Sequence, residues 1–275
     1  EGAPYGWIKH VDHVENGSPG AERDYSILDI ETVPTPAYSE FRENYVEGKE
    51  IGIDEALRKN VLIQQDFSES LPVIGSIAAH PEVYGEKAFR QTDHSFDFVA
   101  DLETIGEISQ EYDLWSYGRS YAFDYTCREG ENWALGLIPL EQPVFPADET
   151  GDIVIESEDF ESRRTVETRH GELEVLPPEV QVASKSKRLV DRKVEDDEVR
   201  YTDPADIGNM MLRNARSGEL YDRQVLSKYM ENYTNGMISD IGWREEIRTA
   251  LEPNLARNEI ESLEEEMDRI EKLLE

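Results

Sequence analysis

The chain has 275 residues, of which 61 are acidic and 28 basic, for a formal net charge of −33. That length suits one large domain or two modest ones and is enough to bury a real core. The hydrophobic share of 38%, with four Trp, thirteen Tyr and eight Phe, excludes a chain disordered along most of its length; no run of eighteen apolar residues marks a membrane-spanning helix.

The acids run along the whole sequence rather than in blocks, which argues against an acidic tail or a nucleic-acid mimic. Lysine supplies only nine of the 28 basic residues. At ordinary ionic strength self-repulsion on this scale opposes a compact state. In molar salt the Debye length shrinks to about 3 Å and the repulsion is screened. The expectation is a halophilic protein of a very salty cytoplasm or a comparably salty medium, not spanning a membrane. Residues Glu1 to Gly6 do not read as a signal peptide. Cys127 is the single cysteine, so no disulfide forms within the chain.

Residues 1–50 are punctuated by Pro4, Gly17, Pro19, Gly20, Pro34, Pro36 and Gly48 and read as an extended N-terminal arm, with one strand over 25–33. A helix is expected over 54–65, with Ala56, Leu57, Val61 and Leu62 on one side. Leu71 to Ala79 is apolar but short and admits either state. From about 95 to 201 the pattern turns to strands. Phe96, Phe98 and Ala100 alternate with Asp97 and Asp101, and Tyr121, Phe123 and Tyr125 alternate with Ala122, Asp124 and Thr126. Further strands are expected at 133–140, 152–155, 165–169, 173–176 and 180–183. Alternation with one polar face predicts antiparallel sheet half in solvent, as a sandwich, a barrel or long hairpins.

From 203 onward the chain reads as helix. Asp203 is a cap residue and Pro204 suits a first helical position. Helices are expected from there to about Gly218, then over 219–233, 239–251 and 255–275. In the last of these Ala256, Ile260, Leu263, Met267, Ile270 and Leu274 recur at steps of four and three, which is the seam of a coiled coil or of a helix packed on its neighbours. The fold class is therefore α+β: an arm over 1–50, a helix plus antiparallel β-rich domain over 51–202, and a C-terminal helical region over 203–275.

Motifs that carry chemistry are sparse. His10 and His13 stand three apart beside Asp12 and Glu15, a spacing open to one metal but equally to solvated loop histidines. A convergence of His80, His94 and His170 on one cleft would mark an enzyme with a dispersed site. Gly75-Ser76 and Gly17-Ser18 lack the second glycine of a nucleophile elbow. No phosphate-loop or dinucleotide fingerprint and no H-E-x-x-H occurs, so no catalytic residue, metal or cofactor is assigned. Arg128 beside Cys127 would favour its thiolate, whereas burial in a strand would make the thiol inert.

The one break in the acidity is Lys185, Lys187, Arg188, Arg192, Lys193 and Arg200, six of the 28 basic residues within sixteen positions. It reads as a contact for phosphates, nucleic acid or an acidic partner surface, or as a segment making internal ion pairs with Asp191, Glu195, Asp196, Asp197 and Glu198.

The stretch from Trp7 to Val11, followed by Glu22 to Glu40 with its Val33-Pro34-Thr35-Pro36-Ala37, resembles a strand near the end of tailed-virus prohead maturation proteases. The catalytic His and Ser of that family lie upstream of this strand, so no catalytic residue carries over. Ile238-Ser239-Asp240 and the Glu-rich helix ending at Leu274 resemble the end of tailed-virus portal proteins. The resemblance implies a non-enzymatic head or neck component of a halophilic virus. Such a component is expected to form a homo-oligomer and to contact other structural proteins, through its arm and its seam of Ile260, Leu263, Met267, Ile270 and Leu274. The alternatives are a haloarchaeal cytoplasmic binding or regulatory module using residues 185–200, and an enzyme with a dispersed site.

Overall fold

The computed structural model describes residues 51–67, 70–89, 92–93, 96–112, 114–117, 120–126, 130, 132–147, 151–195 and 202–274. The expected arm with its strand, His10, His13, His94, Cys127 and Arg200 lie outside these residues.

The described chain begins with β1 (Ile51–Gly52) and runs directly into α1 (Ile53–Asp66). Asp54 and Glu55 occupy the first turn of α1, where the helix dipole favours anions. Ala56, Leu57, Val61 and Ile63 form its buried side. Next come β2 (Val73–Ile74), a 3-10 turn (Ser76–Ala79), β3 (Thr92–Asp93) and β4 (Phe96–Ala100). Asp101 then caps α2 (Leu102–Glu111) by accepting the Thr104 N–H at 2.7 Å. β5 (Trp115–Tyr117), β6 (Ser120–Thr126) and β7 (Asn132–Pro139) come after it, then the ribbon β8 (Pro143–Ala147) and β9 (Gly151–Val154). After the short α3 (Ser157–Glu161) comes the hairpin β10 (Arg164–Thr168) and β11 (Gly171–Val175). Five helices complete the chain: α4 (Pro178–Glu195), α5 (Thr202–Ser217), α6 (Arg223–Thr234), α7 (Trp243–Leu251) and α8 (Arg257–Leu274).

Seven strands form one open sheet in the order β10-β11-β2-β4-β7-β6-β5. β11 runs parallel to β2 and β4 parallel to β7, and the other neighbours are antiparallel. Phe96 and Phe98 stand beside Leu135 and Leu137, which stand beside Phe123 and Tyr121, so one face is a continuous apolar layer. Phe67 and Tyr112 close on it, with ring centroids 6.3 and 4.9 Å from Phe123. Burying six such side chains is worth on the order of 10 kcal/mol of gross transfer free energy, before chain entropy is subtracted.

The chain is thus α+β with C-terminal helices, as its sequence implies, but the sandwich or barrel is corrected: the sheet is mixed and does not close. Two helices inside the β-rich stretch account for the difference. α2 buries Thr104, Ile105 and Ile108, a helical spacing embedded among alternating segments. The expected strand at 180–183 belongs to α4, whose residues 178–187 are all buried. A helix surrounded by protein on every side has no polar stripe to betray its period.

The helical region packs closely. At the crossing of α5 and α7, a Cβ on Gly208 would lie 2.5 Å from Leu251 Cδ1 and 2.6 Å from Ile247 Cγ2, so any larger residue would have to displace both side chains. Leu263, Met267 and Ile270 of the terminal seam are buried and Ile260 and Leu274 half-buried, against α5 and α6 of the same chain. Among the described residues no helix is long and apolar enough to cross a membrane.

Candidate functional site

Where β2 ends, Gly75 adopts φ 109° and ψ −146°, a backbone region essentially closed to residues with a Cβ. The chain then folds at once into the 3-10 turn that starts at Ser76, and the Gly75 carbonyl accepts the Ala78 N–H at 3.2 Å. Beside this turn lies Asp97, which the register pairs with Ile74 on one side and Gly136 on the other. A Cβ on Gly75 would stand 3.5 Å from Asp97 Oδ2, and one on Gly136 would stand 2.5 Å from Oδ1. The half-buried Asp97 carboxylate therefore sits between two glycines: a side chain at Gly136 would crowd it, whereas Gly75 is set apart by its backbone conformation. Its neighbours Phe96 and Phe98 point to the apolar layer, so the pleat sends Asp97 to the opposite face.

Of the nearby acids, Asp101 is engaged in capping α2. The register aligns Ala122 of β6 with Gly136, and Asp124 lies two residues further along that strand. Among the described residues no group of three or more His, Cys, Asp or Glu side chains is arranged to hold a metal ion by itself. A hard cation such as Mg2+ does not need one: it commonly takes one or two carboxylates and completes its shell with water and the phosphates of its ligand.

The turn is held in place by two buried side chains. Gln181 of α4, with no exposed surface, accepts the Gly75 N–H at 2.9 Å and donates to the Val73 carbonyl at 2.9 Å. At the far end His80 Nδ1 accepts the Glu82 N–H at 3.1 Å and Nε2 lies 3.2 Å from Asp54 Oδ1. Because Nδ1 is an acceptor, the proton sits on Nε2 and the ring is neutral. Burial holds this imidazole below its ordinary 6.5, against the upward pull of Asp54 and Glu82. With both nitrogens engaged, His80 fixes the segment and is not placed as a base for Ser76. A recess with room for about one water lies beyond Ser76, lined also by His80, Lys87, Asp206 and Asn209. His170 lies in the β10–β11 turn, its Nε2 buried without a hydrogen-bond partner.

Over its described residues, 185–193, the basic cluster does not form the exposed patch expected of a partner contact. Lys185 is buried, 2.8 Å from Asp206 and 3.8 Å from Asp203. Lys187, fully buried, pairs with Asp191. Arg192 lies 3.7 Å from Asp203 and Lys193 2.7 Å from Glu246. Arg188 is half-buried and also engaged. These cations neutralise acids of α4, α5 and α7, because a charge on a buried helix must be paired to be tolerated.

A larger buried network went unmarked in the sequence. Glu266 of α8, with no exposed surface, accepts from Asn214 Nδ2 at 2.9 Å, Tyr221 OH at 3.0 Å, and Arg223 through Nε at 2.9 Å and Nη2 at 2.7 Å. Burial, then the Glu266 carboxylate, pushes the Tyr221 phenol well above its usual range, so it stays a donor.

No protein-family model matches the sequence, and no curated protein matches it. The structure is similar to the crystal structure of an antigenic nucleotidyltransferase-like protein from Paracoccidioides brasiliensis, with 13% identity and a TM-score of 0.39 over 76% of this chain and 94% of that one. The expected virion head or neck component is corrected by this comparison, in which the likeness is to a nucleotidyltransferase-like protein. The described features behind that expectation also turn inward: the strands lie in a mixed sheet layered with helices, and the seam of α8 packs on its own chain. The likeness is loose, and a functional reading has to rest on the residues of this chain.

Proposed function

We propose that this chain binds a phosphorylated ligand, as its complex with a divalent cation, at the Gly75-Ser76 turn and Asp97. The observation that carries this reading is the pair of glycines flanking the Asp97 carboxylate, one of them in a backbone conformation reserved for glycine. A glycine turn lets main-chain N–H groups approach phosphate oxygens without a side chain between them. A carboxylate beside it supplies the hard oxygen that a Mg2+ ion bridges to those phosphates. The chemistry available there is transfer of a phosphorus-containing group, in which alignment and charge neutralisation by the cation are the main contributions.

Equilibrium dialysis with MgATP as probe, in 2 M KCl to screen the protein's charge, tests the reading. Wild type should bind saturably, and Asp97→Asn and Gly136→Ala should bind at least tenfold more weakly. Equal binding by wild type and Asp97→Asn would remove the site. From composition alone we also propose adaptation to high salt. Its support is the excess of 61 acids over 28 bases, and a melting temperature that failed to rise between 0.2 and 3 M KCl would overturn it.

A further inference from the structure

We propose that Gln181 is a positioning residue for the glycine turn, so that helix α4 sets the binding competence of the site from behind. The inference rests on the metal–phosphate reading of Gly75 and Asp97. Gln181 lies 106 residues from Gly75 in sequence and has no exposed surface, yet both ends of its carboxamide are committed to the main chain of one turn. Its oxygen takes the Gly75 N–H and its nitrogen takes the Val73 carbonyl, bridging the residues on either side of Ile74. β2 is only two residues long, so ladder bonds alone do little to fix the backbone beyond it.

Glycine has the widest conformational range of any residue, and a glycine at the end of a two-residue strand would sample many backbone states. The carboxamide selects one of them, with φ 109°, and that state places Ser76 at the head of the 3-10 turn beside Asp97. Fixing the turn before the ligand arrives removes an ordering cost from binding. The same helix carries Lys185 and Lys187 into their ion pairs. Gln181 thus links the charged interior of the helical layer to the sheet's binding turn. A side chain that merely filled space at position 181 would need neither of its two polar ends.

The experiment measures MgATP affinity and melting temperature together, on the full chain in 2 M KCl. Gln181→Leu keeps the bulk and removes both hydrogen bonds, and its Kd should rise about tenfold, equivalent to about 1.4 kcal/mol. Val182→Ala, which hollows the next position of the same helix, should lower the melting temperature and leave Kd unchanged. Gln181→Glu supplies the chemical rescue: as a neutral acid it can donate to the Val73 carbonyl and accept from Gly75, and as a carboxylate it repels that carbonyl. Its affinity should approach that of wild type as pH falls, and this variant also decides the matter if Gln181→Leu fails to fold. A Kd for Gln181→Leu equal to wild type, or affinity of Gln181→Glu that ignores pH, overturns the positioning role. Absence of binding by wild type, or undiminished binding by Asp97→Asn, instead overturns the site itself.

Discussion

Replacing Glu266 with Ala should be among the most damaging single changes in the helical region. The carboxylate has no exposed surface, while Arg223, its main partner, is 27% exposed along its side chain. Truncation leaves the Asn214 amide and Tyr221 hydroxyl without their acceptor and Arg223 half-buried without its anion. Breaking a buried pair by removing one partner costs about 3–5 kcal/mol. For a folded unit of about 150–250 residues each kcal/mol lowers the melting temperature by about 2–4 °C, giving a fall of roughly 6–20 °C. Glu266→Gln keeps the shape and one acceptor and should fall between Ala and wild type. The assay is thermal unfolding followed by circular dichroism and calorimetry in 2 M KCl, at matched protein concentration. A fully exposed ion pair would weaken in that salt, whereas this one, with its carboxylate buried, is screened much less. A cost below about 1 kcal/mol for Glu266→Ala would refute the reasoning and mean that α8 is held by its apolar seam alone.

Three further outcomes are expected. Lys185→Met should destabilise the chain by about 3–5 kcal/mol in chemical unfolding, because Asp206 and Asp203 would keep buried charge with one cation fewer. Leu263→Ala, at 2% exposure, should cost about 2–5 kcal/mol without altering the mass measured by light scattering, since this side chain packs within its own chain. The pH dependence of stability has two windows. The His80 imidazole, held low by burial, binds its proton more readily unfolded; its contribution is complete above 6.5 and declines as pH falls below that value. Glu259, drawn down to about 2 chiefly by hydrogen bonds from Lys87 and the Ala256 N–H, contributes above its ordinary 4.5 and is lost between there and about 2. His80→Gln should flatten the upper window and leave the lower one, as read from urea midpoints at successive pH values.

Much of the architecture is legible in the sequence, and the reasons differ by element. The strands over 96–100, 121–125 and 133–139 declare themselves because Phe96 and Phe98, Tyr121 and Phe123, and Leu135 and Leu137 recur at every second position and all enter one core layer. The terminal helix declares itself through the four-three spacing of α8. What stays hidden is pairing order. Nothing local tells β4 to run parallel to β7, and that pairing is what brings Gly136 to Asp97. The site is equally hidden, because Gly75-Ser76 has no motif around it and its partner acid is one of 61. Gly75, Asp97, Gly136 and Gln181 span more than a hundred positions and meet only where α4 packs on the sheet. The basic cluster misleads for a related reason: charge density along a sequence says nothing about whether the charges face water. Glu266 shows the same in reverse, a buried acceptor lying inside the acidic run Glu264 to Glu266.

The inward-facing cations of α4 change how the molecule meets anything in solution. Lys185 and Lys187 are paired with acids of their own chain, so they give the surface no cationic patch that could draw in an anion. A polyphosphate drifting toward Asp97 is turned away long before contact, unless it travels with its own cation or the medium shortens the reach of that field. Capture should therefore run faster as salt is added, the reverse of what most proteins that hold phosphate display. Brine, on this view, is part of the entrance.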